Sequence, residues 1–258
     1  SFDGSPKRRV TSTAYSHRNV AVSPDGRWIA FVADARLRPD SVVDQESDSL
    51  AQLPYDAKRD EVDRNDADVY VIPIRGGTPR KIAVHFGNEG DLTWSPDSRR
   101  IAFVAAAGRT KNDRVYVVPV PGGMPENIVG DWRYEPQNIE WLANGSILMT
   151  AAIGGRTAVY RVDPASKRMT EIVSGRRRIN GVTTDAKATK LAFVATDLTH
   201  PTELFIANAD GSGERRLTGF NDKVNADIAW SDAERFTYPS VGGLEIEGWL
   251  MKPYGYEP

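Results

Sequence analysis

The sequence contains no cysteine, which excludes disulfide bonds, thiolate catalysis and cysteine-rich zinc sites. Histidine is scarce as well, and none of His17, His85 and His200 fits a recognisable serine–histidine–carboxylate order. The nucleophile-elbow pattern Gly-x-Ser-x-Gly is also missing, because Gly211-Ser212-Gly213 has the wrong spacing. We interpret the three histidines as loop residues. The sequence therefore predicts no catalytic residue, no cofactor and no metal site within the chain.

Long apolar runs and a strong net charge are absent too. No stretch approaches the roughly 18 consecutive apolar residues of a membrane-spanning helix. The formal net charge of −2 provides no basic field for nucleic acid. The first residues, SFDGSPKRRV, lack the apolar run of a secretory signal. We expect no nucleic-acid or membrane partner, and the compartment stays open between the bacterial cytoplasm and the periplasm or exterior.

What the sequence does contain is a repeat, and self-similarity of this kind decides a fold class. The copies read NVAVSPDGRWIAFVADA at 19–35, DLTWSPDSRRIAFVAAA at 91–107, NIEWLANGSILMTAAIG at 138–154 and GVTTDAKATKLAFVATD at 181–197. A degenerate further copy, DIAWSDAERFTYPS, occupies 227–240. Later copies lie 43 to 47 residues apart, after a first interval of 72. The long first interval indicates one repeat plus an insertion.

Each copy predicts the same four-stranded unit. The first strand leads into a turn such as Ser23–Gly26, where Pro24 fixes φ and Gly26 can adopt the left-handed conformation. An apolar second strand follows, then a third strand rich in aromatic and β-branched residues, and then a polar fourth strand. Four antiparallel strands in each unit match a propeller blade. The predicted fold is all-β, a β-propeller with four-stranded antiparallel blades, representing about four blades of a larger propeller.

These repeats predict six segments. We assign 1–18 to an N-terminal lead-in strand, 19–87, 88–130, 131–175 and 176–220 to four blades, and 221–258 to a last propeller strand and linker. The first blade carries an acidic insertion at 34–68, with one helical turn around Ser41–Leu50. The insertion is interpreted either as a solvated surface excursion or as a loop that contacts substrate.

The C-terminal segment carries a family resemblance. Residues 221–258 read NDKVNADIAWSDAERFTYPSVGGLEIEGWLMKPYGYEP. This segment resembles the passage from propeller to α/β-hydrolase domain in the prolyl oligopeptidase family of serine peptidases. The turn at 23–26 and the DVYVIPIRGG stretch at 68–77 are similar to the TolB-like repeats of its acylaminoacyl-peptidase and dipeptidyl-peptidase branches. The resemblance covers essentially the whole chain.

The resemblance implies a parent serine-type exo- or oligopeptidase with its Ser-Asp-His triad in an α/β-hydrolase domain of the same polypeptide, absent here. The propeller portion would gate access and help position peptide substrates. Residues 131–136, Asp-Trp-Arg-Tyr-Glu-Pro, are similar to the Asp-Trp-x-Tyr-Glu-Glu segment with which dipeptidyl peptidases hold a substrate's amino terminus, except that Pro136 replaces the second acid. The substrate-contact candidates are Trp132, Arg133, Tyr134 and Glu135. Ordinary packing of Trp132 and Tyr134 is the alternative interpretation.

Two further groups of residues have a structural interpretation. Trp94, Trp141 and Trp230 share one repeat position, so we expect all three to pack in a core or between blades. The cluster Arg176–Arg178 could bind an anionic group, but a short basic run is more often a solvated turn. We therefore expect the three arginines to face solvent.

Two other classes of function stay open. A stand-alone TolB-like propeller could act as a protein-interaction module, although such a module has no evident use for the linker-like tail. A propeller glycosidase would need paired carboxylates on central strands, and the first strands offer chiefly Asp91 and Glu140. Blades that lack neighbours also leave apolar faces uncovered, so we expect closure, docking to the parent or self-association through those faces.

Overall fold

The computed structural model describes residues 8–54, 66–84, 89–108 and 111–256, and it is built almost entirely of strands. The strands are β1 (Arg18–Val22), β2 (Trp28–Asp34), β3 (Ala67–Pro73), β4 (Arg80–Ala83), β5 (Gly90–Trp94), β6 (Arg100–Ala106), β7 (Asp113–Pro119), β8 (Glu126–Asn127), β9 (Pro136–Trp141), β10 (Ile147–Ile153), β11 (Arg156–Val162), β12 (Met169–Val173), β13 (Arg178–Thr184), β14 (Lys190–Thr196), β15 (Glu203–Asn208), β16 (Arg215–Arg216), β17 (Ala233–Pro239) and β18 (Glu245–Met251). The helices are α1 (Asp40–Ala51), α2 (Asp222–Ala226) and a 3₁₀ turn at Val241–Gly243. No helix in these ranges has the length and apolar character needed to cross a membrane.

The strands form four-stranded sheets in which neighbours along the chain are neighbours in space. The sheet orders are β1-β2-β3-β4, β5-β6-β7-β8, β12-β11-β10-β9 and β13-β14-β15-β16, and β17 and β18 form a separate hairpin. Pairing is antiparallel, with Phe103 opposite Tyr116 in the second sheet and Phe193 opposite Phe205 in the fourth. The predicted β-propeller fold with four-stranded antiparallel blades is confirmed.

The chain divides into two compact units. The first unit comprises Ser1–Met149 and Val162–Met169, and the second comprises Thr150–Arg161 and Thr170–Pro258. The first unit contains the first two sheets, and the second contains the fourth sheet and the β17–β18 hairpin. The third sheet contributes strands to both units.

Each blade's first strand carries a left-handed residue at one repeat position. Asn19, Asp91, Asn138 and Gly181 have φ values of 49°, 48°, 52° and 57°. In three of these strands the antiparallel register shifts next to that residue, as in a β-bulge. Asparagine, aspartate and glycine are the residue types that adopt this conformation most readily. The bulge therefore explains which residue types begin each copy of the repeat.

The sequence's Ser-Pro-Asp-Gly turns are held by their own side chains. Ser23 Oγ donates to Asp25 Oδ1 at 2.6 Å, and the Arg27 amide donates to the same oxygen at 3.0 Å. These hydrogen bonds, with that of Ser23 first, lower the pKa of Asp25 below its ordinary value. Gly26 has a φ of 69°, as the turn prediction requires. The turn reverses the chain between β1 and β2.

The repeated tryptophans pack as predicted in two of three cases. Trp94 and Trp141 are 5% and 6% exposed, and the Trp94 indole donates to the Ala21 carbonyl at 3.1 Å. The prediction is wrong for Trp230, which is 39% exposed. Residues 227–230 do not form a strand, and the following β17 pairs with β18. The indole of Trp230 donates to Asn225 Oδ1 at 2.5 Å.

The insertion contains a longer helix than predicted, and the lead-in is described only from residue 8. Within 34–68 the structure contains α1, a helix of 12 residues rather than one turn, with none of its residues buried. Ser16 donates to Asp40 at the start of α1 from its amide and its hydroxyl. Residues 8–17 contain no strand, and Arg8 donates to the backbone carbonyls of residues 74 and 75. Residues 1–7 and 55–65 lie outside the described ranges.

Candidate functional site

The predicted contact segment Trp132–Glu135 lies in the first unit, just before β9. The Trp132 and Tyr134 rings meet edge to face with centroids 5.6 Å apart, and the Arg133 guanidinium lies 5.0 Å from the Tyr134 ring. Both aromatic side chains are half-buried, whereas Arg133 and Glu135 are exposed. The Asn112 side-chain amide donates to the Arg133 carbonyl and ties the segment to the start of β7. The segment therefore presents two packed aromatic rings next to one exposed positive and one exposed negative side chain.

Carboxylates gather at this segment. Burial raises the pKa of Asp113 above its ordinary value, and the negative charges of Glu135 and Asp91 raise it further, against the opposing charge of Arg114. Asp91 also accepts a hydrogen bond at 2.7 Å from the Asn138 amide. The site is therefore an anionic corner formed by Asp91, Asp113 and Glu135 beside two aromatic rings.

Sequence reasoning missed Asp113 and did not connect Asp91 with Glu135. The order and direction of the strands could have predicted that these residues lie close together. In an antiparallel sheet the first and third strands run in the same direction. Residues at the starts of β5 and β7 therefore lie at the same end of the sheet. Asp91 and Asp113 hold those positions. The Trp132–Glu135 segment, which precedes β9, lies at the same end of that sheet within the first unit.

We predict that Asp113→Asn stabilises the protein at pH 7. The folded-state pKa of Asp113 is raised, so ionisation costs stability above that pKa, and the cost fades as the pH falls through it. Below the ordinary value of 3.8 both states are protonated and the substitution should have no effect through this charge. Urea denaturation at pH 7 and at a pH below that value measures the difference. An equal gain at both pH values would contradict the prediction, and Asp44→Asn on α1, which has no buried residue, serves as the control.

A second candidate site lies within the second unit, where a cavity of about 500 Å³ opens beside β13 and β18. We name it the arginine cavity. Its lining combines three arginines, two aspartates and several apolar side chains. The lining residues are Gly155, Arg176, Arg177, Arg178, Thr196, Asp197, Leu198, Thr199, Asp232, Ala233, Trp249 and Met251.

The solvated-turn interpretation of the arginine cluster is wrong for Arg177. Its guanidinium binds both Glu214 oxygens, at 2.7 and 2.6 Å, and its side chain is 18% exposed. The same guanidinium lies 5.6 Å from the Phe193 ring and 5.4 Å from the Phe205 ring. Sequence alone could not show this, because Glu214 approaches from a distant part of the repeat. Arg177 therefore packs the fourth sheet.

The floor of the arginine cavity is aromatic. A Cβ at Gly155 would lie 2.3 Å from the Trp249 ring, so only glycine allows the indole to pack there. The Arg176 guanidinium lies 5.8 Å from the same ring and donates to the Ala233 carbonyl at 3.0 Å. The cavity therefore offers a flat apolar surface with a cation at its edge.

The two histidines that the structure describes have different surroundings. His200 lies 3.0 Å from both Asp197 Oδ1 and Thr199 Oγ1 on an exposed loop, and His17 packs against Phe31. His85 lies outside the described ranges. In the part of the chain that the structure describes, no group of three or more histidine, aspartate and glutamate side chains is placed to hold a metal ion.

Comparison with known proteins returned relatives by sequence and by fold, although no family model matches the chain. Dipeptidyl-peptidase 5 of Arthroderma otae is 22% identical over 285 aligned residues, covering 100% of this chain and 36% of the relative. Acylaminoacyl peptidase of Pyrococcus horikoshii superposes with a TM-score of 0.61 at 18% identity, over 95% of this chain and 45% of that one. TolB of Acinetobacter baumannii superposes with a TM-score of 0.56 at 18% identity, over 98% of this chain and 58% of that one.

These comparisons support the resemblance predicted from sequence. The chain is similar to the propeller portion of prolyl oligopeptidase-family peptidases, and its fold is that of TolB and peptidase propellers. It spans about a third of the length of the dipeptidyl-peptidase 5 relative that it matches, at 36%.

Proposed function

We propose that this chain is the non-catalytic propeller portion of a prolyl oligopeptidase-family serine peptidase and that it gates and positions peptide substrates for an α/β-hydrolase domain of the same polypeptide. The observation that carries the proposal is the alignment of the whole chain with dipeptidyl-peptidase 5 of Arthroderma otae. A short motif could match by chance. An alignment over the whole chain requires all of the repeats to match in the same order, which is stronger support for the relationship. The chemistry would belong to the hydrolase domain.

The anionic corner at Asp91, Asp113 and Glu135 supports the positioning role. A carboxylate beside aromatic rings suits the ammonium group at a peptide's amino terminus, because the charges attract and the ring faces favour a cation. Burial is the main cause of the raised pKa of Asp113, and the negative charges of Glu135 and Asp91 add to it, a repulsion that a bound cation would relieve. In this proposal Trp132, Arg133, Tyr134 and Glu135 contact the substrate, with Glu135 holding its amino terminus.

The gating role predicts a limit on substrate length. The peptidase that carries this chain should hydrolyse short unstructured peptides and lose activity as peptides lengthen, because the propeller restricts entry. The measurement is kcat/KM across a series of peptides that share one cleavage site and differ in length, followed by a folded protein that displays the same site on a loop. Equal rates for the folded protein and the shortest peptide would overturn the gating proposal.

A stand-alone TolB-like interaction module is the alternative, and the superposition with TolB of Acinetobacter baumannii favours it at the level of fold. The source gene separates the two proposals. Under the peptidase proposal, the reading frame continues past Pro258 into a strand, a His-Gly-Gly motif and then Gly-x-Ser-x-Gly. A stop codon at that point would favour the interaction module.

A further inference from the structure

The arginine cavity has the size and chemistry of a binding site for a small ligand. Its volume of about 500 Å³ falls within the roughly 300–1,000 Å³ of known small-molecule sites. Its lining joins apolar side chains, among them Trp249 and Met251, with charged groups of both signs that could fix the orientation of a charged ligand. All of its lining residues belong to the second unit.

The cationic side of the cavity is formed by Arg178 and Arg176. Arg178 begins β13 opposite Thr196, the last residue of β14, and it lines the cavity together with Asp197. Arg176 lies 3.5 Å from Asp232, and both side chains are 62% exposed. Arg177 is occupied by Glu214 and contributes no free charge. Two guanidinium groups are thus placed to meet a carboxylate.

The anionic side is formed by Asp197 and Asp232. Burial raises the pKa of Asp197, but hydrogen bonds from Thr199 and His200 outweigh burial and hold it below its ordinary value, so the group is ionised at neutral pH. The Oδ1 atom of Asp197 takes most of these bonds, whereas Oδ2 meets His200 Nδ1 at 3.1 Å. The two aspartates balance Arg176 and Arg178. A ligand that carries only one sign of charge would leave one side unmatched.

The apolar floor selects the body of the ligand. Trp249 and Met251 project from the same face of β18, since alternate residues of a strand share a face. Leu198, 47% exposed, stands at the rim. A hydrophobic side chain could lie against the indole while polar ends reach both charged sides.

We propose that the arginine cavity binds short zwitterionic peptides, with dipeptides as the smallest, by placing the carboxylate on Arg178 and Arg176, the ammonium on Asp197 and Asp232, and an apolar side chain on Trp249. The choice of a peptide, rather than another zwitterion with an apolar body, rests on the proposed function. The cavity site is separate in sequence from the Trp132–Glu135 segment, and its occupancy does not require hydrolysis.

The test is calorimetric titration of this chain with the dipeptide Ala-Phe, its N-acetyl form and its C-terminal amide. We expect saturable binding of Ala-Phe and at least fivefold weaker binding of each blocked form. Arg178→Gln should weaken Ala-Phe binding, so that Ala-Phe no longer binds more tightly than its C-terminal amide. In Asp232→Asn, Ala-Phe should no longer bind more tightly than its N-acetyl form. Trp249→Leu should weaken all three peptides.

Matched controls keep the outcomes distinct. Arg168→Gln, in the other unit, should change nothing, and circular dichroism melting checks that each variant is folded. Loss of binding in Glu135→Gln with retention in Arg178→Gln would reassign the peptide to the anionic corner and overturn the proposal. No saturable binding, or equal affinity for free and blocked peptides, would overturn it as well. The substrate-length series tests the proposed function separately, so either can fail alone.

Discussion

Replacing Gly211 with alanine should lower the free energy of unfolding by about 3 kcal/mol or more. Gly211 has a φ of 84°, a conformation that costs an alanine about 1–2 kcal/mol. An added Cβ would also lie 1.7 Å from the Ile172 carbonyl oxygen, so the β15–β16 turn would have to move away from β12. Because the clash is with backbone, no side-chain rotation can relieve it. Urea denaturation followed by far-ultraviolet circular dichroism measures the loss.

Gly181→Ala is the matched control in the same unit. Gly181 has a φ of 57°, yet the nearest atom to an added Cβ is 4.0 Å away, so only the backbone cost of about 1–2 kcal/mol applies. Gly181→Asn should cost less still, since Asn19 and Asn138 occupy the equivalent position in other blades. Equal losses for Gly211→Ala and Gly181→Ala would show that the turn and β12 are not packed as described.

Replacing Glu135 with glutamine in the peptidase that carries this chain should raise KM about 10- to 150-fold for peptides with a free amino terminus. Loss of a hydrogen bond to a charged group costs about 1.5–3 kcal/mol, which corresponds to that range. If Glu135 holds the amino terminus, acylated peptides lack the ammonium group and should show little change. Steady-state kinetics with free and acylated versions of one chromogenic peptide measure both effects.

Glu126→Gln serves as the control for Glu135→Gln. Glu126 belongs to the same unit, lies on β8 outside the candidate contact segment, and pairs with Lys167 at 2.8 Å. Its replacement should leave KM unchanged for both peptides. A uniform loss of activity on free and acylated peptides in Glu135→Gln would mean that the residue supports structure rather than the substrate's amino terminus.

The fold could be predicted from the sequence because each repeat carries several agreeing signals. Pro24 and Gly26 set the turn, apolar β2 supplies the buried centre of the sheet, and the aromatic third strand packs beside it. Buried Trp94 and Trp141 confirm that an equivalent repeat position has an equivalent environment. The prediction of burial fails for Trp230, since a repeat position is buried only if the strand that contains it forms.

The candidate sites could be predicted only in part, because their residues meet through long-range packing. The Trp132–Glu135 segment was visible as a cluster of aromatic and charged residues, but its approach to Asp113 depends on how strands line up at one sheet edge. Arg177 and Glu214 lie 37 positions apart and are joined by packing. Gly155 revealed nothing locally, since its role is to leave room for Trp249.

The most direct test of the central claim is to look for a nucleophile in the isolated chain. Purified protein is treated with a fluorophosphonate, its intact mass is measured, and the untreated protein is assayed with chromogenic dipeptidyl and acyl-aminoacyl substrates. A propeller portion whose chemistry belongs to another domain should keep its mass and release no chromophore above buffer. A covalent adduct together with inhibitor-sensitive turnover would place a serine nucleophile within these 258 residues and contradict the claim.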